Sequence, residues 1–195
     1  MVVVAVSHSD SVVRRNAVHF AELSRYYETM TDPLTSSIPD LVEQLAASLI
    51  ARKLILSTAE SCTGGGIAHA LTALAGSSAW FDTGFVTYSN EAKQKLLQVP
   101  ATLFAIGGPG AVSEATVLAM TDGAIANSRA SLAVAVSGIA GPDGGTEEKP
   151  VGTVSIAWQW ESKCLARCFQ FSGDREAVRQ ATVRAALEGC LLLID

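Results

Sequence analysis

Residues 131–138, SLAVAVSG, form an apolar run with no polar face. So short and uniform a run suits a strand covered by helices on both sides, because such a strand escapes the inside–outside alternation of a half-exposed one. A second run of this kind, KLILSTA at 53–59, lies upstream between two helical patterns. Strands buried on both faces and alternating with helices confine the chain to an α/β architecture with parallel pairs and right-handed crossovers.

The rest of the pattern fills in that frame. Ser37 is placed to cap a helix with Pro39 in its first turn, and Leu41, Leu45 and Leu49 recur one turn apart to about Arg52. A helix is expected from about Thr63 to Leu74, a strand in DTGFVTYS, a short helix from Ser89 or Asn90, and another after Ser113. TVSIAWQW and CLARCFQF predict an antiparallel hairpin turning at Glu161–Ser162, and the last helix runs from about Asp174 to Ile194. The expected order is α-β-α-β-α-α-β-β-β-α. This predicts a three-layer α/β/α sandwich around one mixed, mostly parallel sheet.

The chain has 195 residues, enough for one domain with a full core. Residues 36–195 are expected to form it. Residues 1–35 are expected to be a peripheral extension, either disordered or a loosely docked helix at FAELSRYYETM, with Met30 itself a plausible start. The net charge of −5 argues against a general nucleic-acid binder, and no apolar run has the length of a membrane span. No secretory signal is expected, so the cytoplasm is the expected compartment. Cys62, Cys164, Cys168 and Cys190 include no CxxC pair, and His8, His19 and His69 show no ligand spacing. A disulfide framework, a metal site or a cofactor is not expected.

Three polar stretches lie at element ends, where α/β sheets collect their ligands: 57–66, 84–93 and 137–150. In STAESCTGGG, Ser61 sits at the mouth of the expected helix, either as a cap or as a nucleophile. The N–H groups of Thr63, Gly64 and Gly65 are expected to be unpaired there and free for an anion or an oxyanion. The lysine of a Walker loop is missing after the glycines. In the second stretch Tyr88, Ser89 and Asn90 precede Lys93. A lysine with its pKa lowered by burial can take a serine proton, as in serine–lysine variants of the catalytic triad. Cys62 is a rival nucleophile without an evident base. The third stretch, SGIAGPDGGTEEKPVG, has the glycines and prolines of a loop that places donors around a polar ligand.

The segments TAESCTGG, AGSSAWFDTGFVTYSNEAK, GAVSEATV, SGIAGPDGGTEEKPVGTV and GDREAVR, in order over about residues 40–185, resemble the CinA C-terminal-domain family. VPATLFAIGGPGAVSE is slightly longer than usual for that family, and Ser172 stands where proline is frequent. The stand-alone members of the family include nicotinamide-nucleotide amidases, which convert nicotinamide mononucleotide to nicotinate mononucleotide and ammonia without a metal. The resemblance implies Ser61 as nucleophile, Lys93 as base, and Tyr88 as a group orienting Lys93 or protonating the leaving group. It implies backbone donors near Thr63 and Gly64 for the oxyanion, and Arg175 or Arg179 for the substrate phosphate. Gly65 and Asn90 are further candidate contacts.

Two other readings fit the same residues: a non-catalytic module that binds pyridine nucleotides or docks a partner, and an amidase for another small amide. The expected partner is a small nucleotide, with no nucleic acid and no membrane, in a homo-oligomer. Trp80, Phe81 and Phe85 are candidates for either that interface or the core.

Overall fold

The computed structural model describes residues 36–194, so the expectations for residues 1–35 lie outside the described residues. The chain runs α1 (Ile38–Arg52), β1 (Leu56–Glu60), α2 (Gly66–Thr72), β2 (Phe81–Val86), α3 (Asn90–Leu97), α4 (Glu114–Ala126), β3 (Leu132–Gly138), β4 (Thr153–Trp160), β5 (Lys163–Gln170) and α5 (Arg175–Ile194). Single 3-10 turns interrupt it at Ser77–Ala79 and Ala101–Phe104. The order of helices and strands is the expected one. Among the described residues no helix is long and apolar enough to cross a membrane.

Local chemistry explains the boundaries. The Asp40 N–H donates to Ser37 Oγ at 3.3 Å and the Ser37 N–H donates to Asp40 Oδ2 at 2.8 Å, a reciprocal capping box that starts α1. Lys53, left-handed at φ 55°, ends it. Leu41, Leu45 and Leu49 are buried, each worth about 2 kcal/mol relative to exposure. The hairpin turns at Glu161, also left-handed at φ 54°.

The sheet order is β2-β1-β3-β4-β5. β1 is parallel to both of its neighbours, and β4 is antiparallel to both of its own. Four strands therefore point one way and β4 opposes them, giving the mixed α/β/α sandwich. Helices α3 and α4 cover one face, and α1, α2 and α5 the other. On the α4 side the sheet presents Ala59, Ala133, Ala135 and Ala157 to Val117, Met120 and Ala124. Such small side chains let the helix lie close. On the other side the Trp158 indole N–H donates to the Ala186 carbonyl at 2.8 Å. Trp80 is buried and Phe85 packs on the α4-side cluster, so both belong to the core; Phe81 is half-buried.

One consequence of this topology positions the site. Glu60 pairs with Val86 of β2 and Val136 of β3, so three parallel strands end at the same edge. The chain leaves that edge at Ser61, Thr87 and Ile139, and the three polar stretches converge there.

Candidate active site

Ser61 directly follows β1 and is 8% exposed. Its N–H donates to the Val136 carbonyl at 3.0 Å, which continues the β1–β3 ladder one residue past the strand. Lys93 comes from the first turn of α3, which is capped by Ser89 Oγ accepting from the Ala92 N–H at 3.0 Å. The lysine side chain turns inward and is 1% exposed. Its Nζ lies 3.0 Å from Ser61 Oγ, 2.8 Å from the Thr87 carbonyl and 3.4 Å from the Tyr88 carbonyl. Burial pushes its pKa down from 10.5 to about 8. A serine hydroxyl beside a buried amine of lowered basicity is the arrangement of a nucleophile and its base.

Cys62 is buried, and burial, reinforced by the negative charge of Glu60, pushes its thiol up to about 11. The thiolate is scarce at neutral pH, which weighs against Cys62 as a rival nucleophile.

The glycine turn differs from expectation. α2 begins at Gly66 and not near Thr63, because Gly64 and Gly65 take left-handed φ values of 61° and 95°. The Gly64 N–H donates to the Ser61 carbonyl at 3.0 Å. The Gly65 N–H donates to Glu60 Oε2 at 3.1 Å, as does the Ile67 N–H at 3.0 Å. Thr63 Oγ1 also donates to Glu60 Oε2, at 2.7 Å. The mouth of α2 is therefore filled by the protein's own carboxylate. Gly64 and Gly65 have no N–H to spare for a ligand, and the Thr63 side chain faces inward. The N–H groups of Cys62 and Thr63 face the Cys62 sulfur and donate to no oxygen among the described residues. They are the donors left beside Ser61.

Tyr88 also differs. Its backbone carbonyl, not its phenol, meets Lys93. The phenol is on the surface, where its oxygen accepts from Arg175 Nη2 at 3.0 Å. Arg175 Nη1 donates to the Gly141 carbonyl at 2.7 Å, so this residue joins the Tyr88 segment to the glycine-rich loop across the site's rim. Arg179, one turn further, is held elsewhere. Its guanidinium donates to Glu176 and to the Thr63 carbonyl, each at 2.9 Å. It lines a groove of about 970 Å³ between α1, α2 and α5, which neither Ser61 nor Lys93 lines. Asn90 opens α3, half-buried, with its carbonyl accepting from Gln94 Nε2 at 3.2 Å.

The loop from Ile139 to Gly152 is pinned. Lys149 Nζ donates to the Pro109 and Val112 carbonyls, both at 2.8 Å, and so ties this loop to the one before α4. Sequence reading missed Glu60, Lys149 and the Thr87 carbonyl. A backbone carbonyl leaves no mark in a sequence, and Glu60 reads only as the polar end of a strand.

Comparison with known proteins follows the same residues. The family model described as the CinA C-terminal domain matches residues 39–194. A protein of Pseudomonas putida named nicotinamide-nucleotide amidohydrolase PncC is 54% identical over 162 residues, covering 83% of this chain and 98% of that protein. The protein of the same name from Escherichia coli K12 is 51% identical over 160 residues, covering 82% and 94%. A crystal structure of a CinA superfamily protein from Klebsiella pneumoniae superposes with a TM-score of 0.77 at 43% identity, over 82% of this chain and 98% of that one. With a match running from the first turn of α1 to the end of α5, the chain belongs to the CinA C-terminal domain family.

Proposed function

We propose that this protein hydrolyses the carboxamide of nicotinamide mononucleotide to nicotinate mononucleotide and ammonia, as a step of pyridine-nucleotide salvage in the cytoplasm. The observation that carries the reading is the buried contact of 3.0 Å between Lys93 Nζ and Ser61 Oγ. The activity named for relatives more than half identical to this chain supports the substrate.

Neutral Lys93 takes the Ser61 proton as Oγ attacks the amide carbon. The N–H groups of Cys62 and Thr63 hold the oxygen of the tetrahedral adduct. The C–N bond then breaks, Lys93 returns the proton to the departing ammonia, and an ester on Ser61 remains. Water, deprotonated by Lys93, cleaves that ester and regenerates the serine. Arg175, on the rim, offers a planar cation for the substrate phosphate. The amidase unit is residues 36–195, and it uses no cofactor.

The test is ammonia release from purified protein with nicotinamide mononucleotide, with and without a chelator. Turnover equal in both arms is expected. Its absence from the nucleotide alone, with release from another small amide, overturns the substrate. Loss of turnover with chelator overturns the metal-free chemistry.

A further inference from the structure

Glu60 immediately precedes Ser61 and is fully buried. Its carboxylate accepts five hydrogen bonds, all from residues within eight positions of it. Oε2 accepts from Thr63 Oγ1 at 2.7 Å, the Ile67 N–H at 3.0 Å and the Gly65 N–H at 3.1 Å. Oε1 accepts from the Ala68 N–H at 2.8 Å and Thr58 Oγ1 at 3.3 Å. Three of these donors are backbone groups that the start of a helix leaves without partners. The side chain therefore acts as an internal template on which the chain folds from β1 into α2.

That turn contains Ser61 and the two N–H groups proposed for the oxyanion. Its left-handed glycines have no preference of their own for this one conformation, since glycine visits many. The Ser61 N–H bond to Val136 fixes the turn on one side, and the five bonds to Glu60 fix it on the other. We infer that Glu60 is a positioning residue for the reaction proposed above: it holds the 61–65 turn so that Ser61 Oγ meets Lys93 while the Cys62 and Thr63 N–H groups stay beside Ser61 as donors for the substrate. The inference rests on that reading of the site. Glutamine is nearly isosteric but replaces one oxygen with an NH2 group. Whichever oxygen is replaced, at least two donors then face another donor. The cost falls on the turn and not on the volume of the core.

The experiment compares wild type, Glu60→Gln and the milder Thr63→Val, which removes one of the five donors. Each is checked for folding by circular dichroism. Two rates are read: ammonia release from nicotinamide mononucleotide, and labelling of Ser61 by a fluorophosphonate. In the second, Oγ bonds to phosphorus, fluoride leaves and the proton goes to Lys93, so it needs the nucleophile and its base but no nucleotide. In Glu60→Gln kcat is expected to fall about a hundredfold with KM within threefold, because attack geometry is lost while contacts to the nucleotide remain. Labelling should slow in parallel. Thr63→Val should lower both rates about tenfold, and it remains informative if Glu60→Gln does not fold. Wild-type labelling without ammonia release would remove the proposed substrate but leave the labelling comparison able to judge Glu60. Wild-type rates in folded Glu60→Gln or Thr63→Val, or a change confined to KM, overturn the positioning role.

Discussion

The Nζ of Lys93 stands 2.8 Å from the Thr87 carbonyl and 3.0 Å from Ser61 Oγ, across 32 residues of sequence from the serine. The Tyr88 carbonyl, at 3.4 Å, is its third partner. A neutral amine has two N–H groups and one lone pair. Two carbonyls take the two hydrogens, which leaves the lone pair for the serine hydroxyl. The segment that follows β2 thus orients the Lys93 amine as well as delivering it.

The rate should follow the neutral amine. With the Lys93 pKa at about 8 in the free protein, kcat/KM should rise tenfold per pH unit below about 8 and level off above it. The check is a profile from pH 6 to 10 at low substrate. A flat profile across that range would show that Lys93 does not gate the step. Lys93→Arg, which cannot lose its proton at these pH values, should be inactive throughout.

The same burial has a cost in stability, with a definite sign. The Lys93 pKa is about 8 folded against 10.5 for the ordinary group. Between those values the unfolded chain binds the extra proton, so stability rises with pH across the window and is lowest below about 8. The penalty there is about 3 kcal/mol. Lys93→Met keeps the length of the side chain without the charge, and it gives up bonds worth about 1 kcal/mol each. Urea unfolding at pH 7 should find this variant no less stable than wild type, with any advantage vanishing towards pH 10. An inactive but marginally more stable variant is the expected outcome. A clear loss of stability at pH 7 would contradict it.

Ser61→Ala should lower ammonia release by about 10³-fold or more. The hydroxyl bonds to Lys93, and the Ser61 N–H and C=O bonds are backbone bonds that alanine keeps. The melting temperature should therefore move by only a few degrees. Near-normal turnover in the variant would assign the nucleophile elsewhere.

The parts of this design legible in sequence are those that local chemistry decides alone. The Ser37 cap, the continuous apolar β3 and the Glu161 hairpin all stand where their residues predict. The pairing of Ser61 with Lys93 was legible because Ser61 directly follows β1 and Lys93 lies in the first turn of the helix after β2, and parallel strands bring such ends to one edge. The start of α2 was not, because its limit is set by the left-handed Gly64 and Gly65 and by an acid that precedes the helix. Capping signatures look for the acid after the cap. Tyr88 lies beyond the last paired residue of β2, so strand alternation no longer fixes where its ring goes. Arg175 and Arg179 look equivalent in GDREAVR, yet a rotation of about 40° between them sends one to the rim and the other to the far side of the 63–66 turn.

That difference separates the two arginines in solution. Arg175→Ala should raise KM for nicotinamide mononucleotide about ten- to a hundredfold, the value of hydrogen bonds from a charged group. It should change KM for the unphosphorylated riboside much less. Arg179→Ala should leave both nearly unchanged, because its guanidinium is bound to Glu176 and Thr63 and lines the other groove. Steady-state kinetics on both substrates decides. Equal effects of Arg175→Ala on the two would remove it from the phosphate site.

A close contact between α5 and β4 makes a prediction about stability that does not depend on the chemistry. Gly189 of α5 lies beneath the Trp158 indole, and a Cβ added there would come within 2.2 Å of the ring. The ring has little room to retreat, since its N–H is bound to the Ala186 carbonyl at 2.8 Å on the same helix. In an open helix, glycine to alanine would stabilise by about 1 kcal/mol. Here overpacking costs about 1–3 kcal/mol or more, and it outweighs the helical gain because the overlap is with a rigid ring in a close-packed layer. Gly189→Ala should therefore lower the melting temperature by several degrees, at about 2–4 °C per kcal/mol for a chain of this size. Combining it with Trp158→Leu should recover part of that loss relative to Trp158→Leu alone, because the smaller side chain frees the space the new methyl needs. Additive losses in the double variant would place the cost outside this contact.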